Sequence, residues 1–463
     1  MKRLATVLAL LVATPALAWE PSSTHAGLSE QAALASRLHK RLVTLGFNGG
    51  LFEPLTIPPA DAPKLIEALR LLSPTHGAVP DARGRQIALG WLAAGAALAD
   101  VPAKHGANHF FDPATKKGWT DPDRGVINSL SDKVREVIGR ASLPSKGIPA
   151  PEWVTHKDNP FNADNFYSQY AKAVTAATPG ERSRHMAAAL VAAGAILHTL
   201  GDLGAPSRVR GDSAAHLEPL GGGPDDLGSR FERIAALAYG RLGVPAPSRI
   251  VTRTRMRDFF STPDGQGLAD LVARTYFSPH TLPENTRIGG KSFKPKLARS
   301  QPTVPERLNL MAASRDEGTM LRDKAGTCLA RYRVERGNVE FWLDDECMLE
   351  QVTAVLPEVS SFETGLLEFL LRGELTISLT NEIVVGGVAG SNLGPGTLEV
   401  LVEDSRGVRT KLATVDASSR PNGQAELARV AAPAAGVRVV AVYRGTDALG
   451  EPIVAVGAMP LGK

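Results

Sequence analysis

The sequence predicts a multi-domain protein in which a mainly α-helical domain (residues 19–372) precedes a β-sandwich (residues 373–463). Three observations predict this organisation. The chain has 463 residues, more than most single domains contain. Apolar residues recur at helical spacing through most of the first part. After Gly373 the pattern changes to short β-rich runs separated by turns rich in glycine and proline.

The composition excludes wholesale disorder and gives no support for nucleic-acid binding by charge. Hydrophobic residues make up 43% of the chain, which is enough to bury a full core. The 52 basic and 48 acidic residues leave a net charge of +4, and no block of Lys and Arg stands out. A balance this even does not argue for nucleic-acid binding by charge alone.

The first 18 residues have the pattern of a secretory signal peptide. Lys2 and Arg3 precede an apolar stretch from Leu4 to Leu17, and Ala16-Leu17-Ala18 matches a cleavage site of small residues. The stretch is too short for a comfortable membrane span, and no later segment is expected to approach one. We therefore expect a secreted or periplasmic protein without a transmembrane segment, whose mature chain begins at Trp19.

Helical periodicity predicts a series of helices in the first domain. They cover residues 27–46, 63–73, 84–100, 124–141, 164–178, 181–203, 225–242, 265–276, 306–331 and 347–372. The sequence between Ala187 and Leu197 is apolar nearly all round, which predicts a buried central helix. Strand-like runs of the second domain begin at Leu375, Thr397, Val437 and Ile453.

The chain has two cysteines, Cys328 and Cys347. In an oxidising compartment this pair could form one disulfide. Two cysteines are too few for a zinc knuckle, so any metal must be bound by histidines and carboxylates.

His198 and Asp202 lie four residues apart on the predicted central helix. Side chains at this spacing project from one face, so the imidazole and the carboxylate can share a metal ion. Two ionisable groups on an apolar helix need a partner of some kind. A histidine that is simply hydrogen-bonded in the core is the other interpretation.

Asp100 and His109 form a second candidate pair. Asp100 ends the predicted 84–100 helix, and His109 opens the segment His109-Phe-Phe-Asp-Pro113 in the loop that follows. Asp100 could simply terminate the helix, and Asp112 could simply form an Asp-Pro turn. Alternatively, Asp100 and His109 reach one metal ion from a helix end and its following loop.

Trp19 and His25 form the third candidate pair. Cleavage after Ala18 would expose the α-amine of Trp19, and this amine and the Trp19 carbonyl can chelate a metal in a five-membered ring. His25 lies six residues further on and could join them. The alternatives are that Trp19 is merely the first ordered residue and that His25 is exposed to solvent near the terminus.

Together these segments resemble the zinc-dependent phospholipase C / S1–P1 nuclease superfamily. The matching segments are Trp19 to His25, Ala97 to Pro113, and Leu197 to Pro206. The resemblance covers roughly residues 19–240. It implies a helical bundle with a trinuclear zinc site and a metal-binding N-terminal tryptophan.

The resemblance also implies roles for individual residues. One zinc ion would be bound by Asp100, His109, His198 and Asp202. A second would be bound by Trp19, His25 and Asp202, with Asp202 bridging the two ions. In the family, an acidified water between the zinc ions attacks a phosphodiester in line, and Asp100 is a candidate base for that water.

The third zinc site is where this chain departs from the family pattern. Ser207 or Arg208 occupies the position of one expected histidine, and Gly228 that of another, although Glu232 matches the expected acid. Three alternatives are open: the site is lost, it is rebuilt with His216, or the guanidinium of Arg208 replaces the cation and binds phosphate.

We therefore expect a secreted zinc-dependent phosphodiester hydrolase of the phospholipase C type, with two or three zinc ions. The segment His109 to Pro113 is closest to the phospholipase C branch, so a phospholipid is the expected substrate. A single-strand nuclease is the second expectation. A catalytically inactive, zinc-stabilised binding protein, in which the β domain is the working part, is the third.

Nucleic acid and a membrane surface also remain open as partners. The basic, irregular segment 278–306 could approach a phosphate-bearing surface through Lys291, Lys294, Lys296 and Arg299. An ordinary solvated loop is the other interpretation of this segment.

Overall fold

The computed structural model describes the chain with gaps. The described residues are 21–71, 79–120, 144–220, 227–283, 286–287, 308–309, 311, 313, 316–387, 393–417 and 426–461. The predicted signal peptide, Trp19, the predicted 124–141 helix and the four cations between 291 and 299 lie outside them.

The described part of the chain is helical up to residue 370, apart from short strands and one sheet, and consists mainly of strands after it. A turn of π-helix, Pro21–His25, leads into the first α-helix. The α-helices are α1 (Ala26–Ala35), α2 (Leu38–Thr44), α3 (Pro63–Leu71), α4 (Ala88–Leu98), α5 (Ala150–Trp153), α6 (Ala163–Thr175), α7 (Pro179–Gly201), α8 (Pro206–Val209), α9 (Arg230–Tyr239), α10 (Arg257–Phe260), α11 (Leu268–Thr275) and α12 (Asp345–Leu370). The strands are β1 (Pro54–Thr56), β2 (Arg85–Ile87), β3 (Glu218–Pro219), β4 (Leu227–Gly228), β5 (Thr286–Arg287), β6 (Thr319–Arg322), β7 (Cys328–Glu335), β8 (Asn338–Trp342), β9 (Leu375–Leu379), β10 (Glu382–Gly387), β11 (Leu393–Glu403), β12 (Arg409–Asp416), β13 (Glu426–Ala431), β14 (Arg438–Asp447) and β15 (Pro452–Pro460).

The C-terminal strands form two antiparallel sheets packed face to face, which confirms the predicted fold class. The strand orders are β13-β10-β9 and β12-β11-β14-β15. Side chains from both sheets, among them Ile383, Val385, Val400 and Tyr443, share one apolar core. Such packing of two sheets is a β-sandwich.

The four-stranded sheet of the sandwich also packs against the helical domain. Val440, Val442, Val454 and Val456 belong to the same apolar core as the helices. Arg409, fully buried at its side chain, donates hydrogen bonds to the carbonyls of Val174 (2.5 Å) and Leu45 (2.7 Å). Both faces of this sheet are therefore covered.

The predicted helix over residues 306–331 is wrong. The described residues there include β6 and the start of β7, which belong to a four-stranded antiparallel sheet of order β5-β8-β7-β6. In β7, Arg331 and Arg333 alternate with the more buried Ala330 and Tyr332. This period of two is the spacing of a strand with one face toward solvent.

The predicted 27–46 helix is also interrupted, because α1 ends at Ala35 and α2 begins at Leu38. The Ser36 hydroxyl donates to the Ala33 carbonyl at 2.9 Å and accepts from the Leu38 N–H at 3.2 Å. Serine side chains that bond neighbouring backbone groups in this way compete with the helical ladder.

Cys328 and Cys347 form the expected disulfide, with a Cα–Cα distance of 5.2 Å. The bond joins the start of β7 to the first turn of α12, and both residues are fully buried. It therefore fixes the four-stranded sheet β5-β8-β7-β6 to the long helix α12.

Helix α7 and the turn after it, Pro179–Gly204, are long and apolar enough to cross a membrane. The expectation that no later segment approaches a membrane span is therefore wrong by length and composition. In the structure, 94% of the most apolar window of this segment is buried inside the protein. Its apolar character thus agrees with the predicted buried central helix.

Helices α4 and α7 cross with their backbones in contact. A Cβ atom added at Gly95 of α4 would collide with the Val191 carbonyl oxygen, and one added at Gly194 of α7 would collide with the Leu92 carbonyl oxygen. Because the distance between packed helices is set by the side chains at their contact, glycine at both positions allows this close approach.

We predict that Gly95→Ala lowers the free energy of unfolding by about 2–3 kcal/mol, since the added methyl group meets backbone that cannot rotate away. Gly180→Ala is the matched control, because an added Cβ there meets nothing within 4 Å. It should change stability by at most about 1 kcal/mol, in the stabilising direction. Urea unfolding followed by circular dichroism measures both, and equal stability of the two variants would contradict the close crossing.

Candidate metal centre

The crossing of α4 and α7 brings together residues that are far apart in sequence. Asp100 lies just beyond the end of α4. His198 lies in the last turn of α7, and Asp202 is the first residue after the end of that helix. His109 ends a seven-residue 3-10 helix, Ala103–His109. The Nδ1 atom of His198 contacts the Ala96 carbonyl of α4 at 2.7 Å. When Nδ1 donates this hydrogen bond, Nε2 is left as the ligating nitrogen.

Asp100, His109, His198 and Asp202 form one cluster, with one ligand atom from each residue within 4.8 Å of all the others. The Nε2 atom of His198 lies 3.2 Å from Oδ2 of Asp202 and 3.4 Å from Oδ2 of Asp100. Nδ1 of His109 lies 2.8 Å from Oδ2 of Asp202 and 3.1 Å from Oδ1 of Asp100. Neighbouring ligand atoms of a tetrahedral zinc site lie about 3.3–3.6 Å apart, so these separations are close to those of a single coordination shell.

Several buried polar atoms of the cluster also lack hydrogen-bond partners. Neither oxygen of Asp100 has a hydrogen-bond partner with acceptable geometry, and neither has Nε2 of His198, although they lie within ion-pair distance. Buried polar groups normally find hydrogen bonds, so atoms that crowd together without making them need another partner. The cluster is therefore able to bind a metal ion.

The charges of the cluster are almost completely buried, because Asp100 is 4% exposed and the other three residues are 0% exposed. Burial opposes ionisation of Asp100, but the neighbouring His198 and His109 hold its pKa well below its ordinary value. Burial likewise lowers the pKa of His198, but Asp202 and Asp100 outweigh burial and raise it to about 10. The carboxylates thus require positive charge, which either a proton on His198 or a cation can supply.

His25 lies on the other side of Asp202. Its Nε2 atom is 3.1 Å from Oδ1 of Asp202, whereas His109 and His198 face Oδ2. The His25 ring stacks on that of His198, with centroids 3.6 Å apart. Burial is the main cause that lowers the pKa of His25 to about 4, which keeps the imidazole neutral, the form that binds metals. The arrangement allows Asp202 to face two cations.

Arg208 occupies the space between two carboxylates. Its Nε donates to Oε1 of Glu232 at 2.7 Å, and Nη1 lies 3.3 Å from Oδ2 of Asp202. The guanidinium also lies over the ring of Phe110, 4.7 Å from its centroid. Burial opposes the charge on Arg208, but Asp202 and Glu232 outweigh it and raise the arginine pKa above its ordinary value. The positive charge at this position is therefore fixed.

Glu232 and His216 complete the surroundings of Arg208. Burial raises the pKa of Glu232 to about 7, although Arg208 opposes the shift. The Nδ1 atom of His216 lies 3.7 Å from Oε2 of Glu232, while its Nε2 is 2.9 Å from the hydroxyl of Ser207. Except for Trp19, which lies outside the described residues, the structure brings all the predicted site residues together: His25, Asp100, His109, His198, Asp202, Arg208, His216 and Glu232.

Sequence reasoning missed Glu363 of α12. This side chain is fully buried, and both its carboxylate oxygens lack a hydrogen-bond partner. Burial raises its pKa well above the ordinary value, although the neighbouring His198 opposes the shift, and Asp202 adds to it. The available signal was weak: Glu363 is the single charged residue in the stretch Val359 to Leu367, which also contains serine, threonine and glycine. Nothing in its spacing connects it to the other site residues.

Comparison with known proteins gives only remote likenesses. The alpha toxin of Clostridium absonum aligns over 96% of this chain and 96% of that chain, at 13% sequence identity and a TM-score of 0.28. The alpha-toxin of Clostridium perfringens from an avian strain aligns over 96% of this chain and 99% of that chain, at 11% identity and the same TM-score of 0.28. Scores this low carry no argument about this chain. No protein-family model matches the chain, and no curated protein matches it in sequence.

We predict that His198→Ala lowers the divalent-metal content of the protein, because it removes a ligand nitrogen and the contact to Ala96. The cavity left in the core should also lower the melting temperature by about 5–10 °C. His156→Ala is the control, since that side chain is 34% exposed and lies outside the cluster. Metal content is measured by mass spectrometry, and an unchanged content in His198→Ala would reject the assigned role.

Proposed function

We propose that the chain is a secreted zinc-dependent phosphodiester hydrolase of the phospholipase C type. One observation carries the proposal: the buried cluster of two carboxylates and two imidazoles has one member, Asp202, whose second oxygen faces a third imidazole, that of His25. A set of nitrogen and oxygen ligands without cysteine suits zinc.

The proposed ligands divide into two sets that share Asp202. Asp100, His109, His198 and Asp202 hold the first zinc ion. His25 and Asp202 hold the second, together with the amine and carbonyl of Trp19 once the signal peptide is removed. Zinc at such a site polarises a phosphoryl oxygen and lowers the pKa of water to near neutrality.

Asp100 is the proposed general base. Its carboxylate stays ionised at neutral pH, because nearby imidazoles hold its pKa low despite burial. Its two oxygens face different histidines, with Oδ1 toward His109 and Oδ2 toward His198. Asp100 can therefore orient an attacking water and accept its proton while it remains within the cluster.

Arg208 is proposed to replace the third cation. Its ion pairs with Asp202 and Glu232 put a permanent positive charge against the carboxylate shared by the two zinc sites. These contacts use Nε and Nη1, so Nη2 is the donor proposed for a phosphate oxygen. A rebuilt site with His216 is less favoured, because the Nε2 atom of His216 already contacts Ser207 at 2.9 Å.

The substrate class rests on the sequence resemblance. The segment His109 to Pro113 favours a phospholipid, and a single-stranded nucleic acid is the alternative phosphodiester. A lipid substrate would bring the protein to a membrane surface as a peripheral partner. Secretion or export to the periplasm follows from the predicted signal peptide and agrees with the disulfide.

A second candidate function is that of a zinc-stabilised binding protein without catalytic activity. Its support is the burial of the cluster, in which no member is more than 4% exposed. A closed site with four protein ligands is typical of structural zinc, whereas catalytic zinc keeps a position open.

We predict that the mature protein binds at least two zinc ions and cleaves phosphatidylcholine faster than a chromogenic phosphodiester or single-stranded DNA. Arg208→Lys should retain the zinc ions and lower kcat by about 100-fold, because the compact ammonium lacks the planar, forked donors that a guanidinium directs at two carboxylates and a phosphate oxygen. Arg230→Lys, an exposed site with one ion pair, is the control and should behave as wild type. Zinc binding without cleavage of any of the three substrates would favour the binding protein.

We also predict that extra residues before Trp19 weaken the second zinc site, because they convert the α-amine into an amide that cannot ligate metal. The measurement compares zinc content and activity of the mature protein with those of a form that retains two added residues. Unchanged values in the extended form would mean that the terminal amine is not a ligand.

A further inference from the structure

The C-terminal end of α7 has a notch at Gly201, into which two polar groups project. A Cβ atom added at Gly201 would collide with Oε1 of Glu363 and would lie 3.3 Å from Nδ1 of His25. The absence of a side chain at this position therefore lets the carboxylate of α12 and the imidazole of His25 face the same point. Any other residue at 201 would fill that space.

Both groups in the notch lack a hydrogen-bond partner. Neither oxygen of Glu363 makes a hydrogen bond, and neither does Nδ1 of His25, although both residues are 0% exposed. Burial of an unpaired carboxyl group and an unpaired ring nitrogen costs stability. Each of these groups is a suitable partner for the other, because an imidazole N–H donates and a carboxylate accepts.

The two nitrogens of His25 face different surroundings. Nε2 points to Asp202 at 3.1 Å, on the side of the metal cluster. Nδ1 lines the notch at Gly201, which Oε1 of Glu363 also lines. Histidines that bind metal almost always donate their other N–H to a carboxylate, a carbonyl or water, which fixes the ring orientation. For His198 that partner is the Ala96 carbonyl, at 2.7 Å.

We propose that Glu363 is the positioning residue of His25: a carboxyl oxygen of Glu363 accepts the Nδ1 hydrogen, directly or through one water, and holds Nε2 toward a cation shared with Asp202. This inference rests on the proposed function, since it requires a metal ion on His25. It adds to the centre a helix, α12, that supplies none of the proposed ligands. It also explains why a carboxylate is kept in the core at a cost to stability.

The test compares Glu363→Leu and Glu363→Gln with wild type in the mature, full-length protein. Glu363→Leu removes the acceptor, so its second zinc ion should bind about 10- to 100-fold more weakly, while the first is retained. Glu363→Gln keeps an acceptor oxygen, so its affinity for the second zinc should lie nearer to wild type. Zinc titration followed by native mass spectrometry gives the affinity and number of the ions.

Unfolding of the metal-free proteins separates positioning from a structural role. Glu363→Leu should be at least as stable as wild type without zinc, because it replaces an unpaired buried carboxyl with an apolar side chain. It should gain less stability than wild type when zinc is added. Glu358→Gln, on the exposed side of the same helix, is the control and should leave both measurements unchanged.

Nuclear magnetic resonance of zinc-loaded wild-type protein with labelled histidine provides a further check, and the hydrogen of His25 should reside on Nδ1. A hydrogen on Nε2 would overturn the inference, as would wild-type affinity for both zinc ions in Glu363→Leu. Loss of both ions together with lower metal-free stability would also overturn it, in favour of a structural role. If wild type itself binds no zinc, the proposed function fails as well, and the two failures are thus distinguishable.

Discussion

The close crossing of α4 and α7 is the constraint on which the metal centre depends. Gly95 and Gly194 let the two backbones touch, and the carbonyl of Ala96 can then reach the ring of His198. Asp100 and Asp202, at the ends of the same two helices, meet at ligand spacing for the same reason. Ligand positions in a metal site tolerate errors of only about 0.2 Å, whereas a larger side chain at the crossing would separate the helices by much more.

Asp202 is the point at which the charges of the centre converge. One of its oxygens faces His25, and the other faces His109, His198 and Arg208. Arg208 differs from a cation at the same position in a basic respect. A guanidinium brings a fixed single charge and a planar set of donors, but it cannot act as a Lewis acid or exchange with solvent. Asp202 thus lies between a cluster that is able to bind a metal ion and a guanidinium of fixed charge.

Only part of this centre could be predicted from the residue pattern itself, because the grouping of His25, Asp100 and His109 with the central helix rested on the family resemblance. His198 and Asp202 stand out on an apolar helix, and their spacing places them on one face. Helical spacing does not reveal the break in the first helix, because there the Ser36 side chain competes with the backbone for hydrogen bonds. Nor does it reveal the strands around Cys328. The role of Glu363 could not be predicted from the sequence, because the packing of α12 against α1 and α7 is what brings it to the notch that His25 also lines.

The four-stranded sheet of the C-terminal domain shares its outer face with the helical core, so the two domains cannot be separated without exposing that face. Its outer valines, Val440, Val442, Val454 and Val456, are continuous with the helical core, and Arg409 of the same sheet holds backbone carbonyls of that core. Separation of the two domains would therefore expose an apolar surface on each fragment and leave the guanidinium of Arg409 without its two carbonyl acceptors, although its bond to Glu403 of the same sheet would remain. Isolated fragments are therefore expected to associate or aggregate through the apolar surfaces that the intact protein covers.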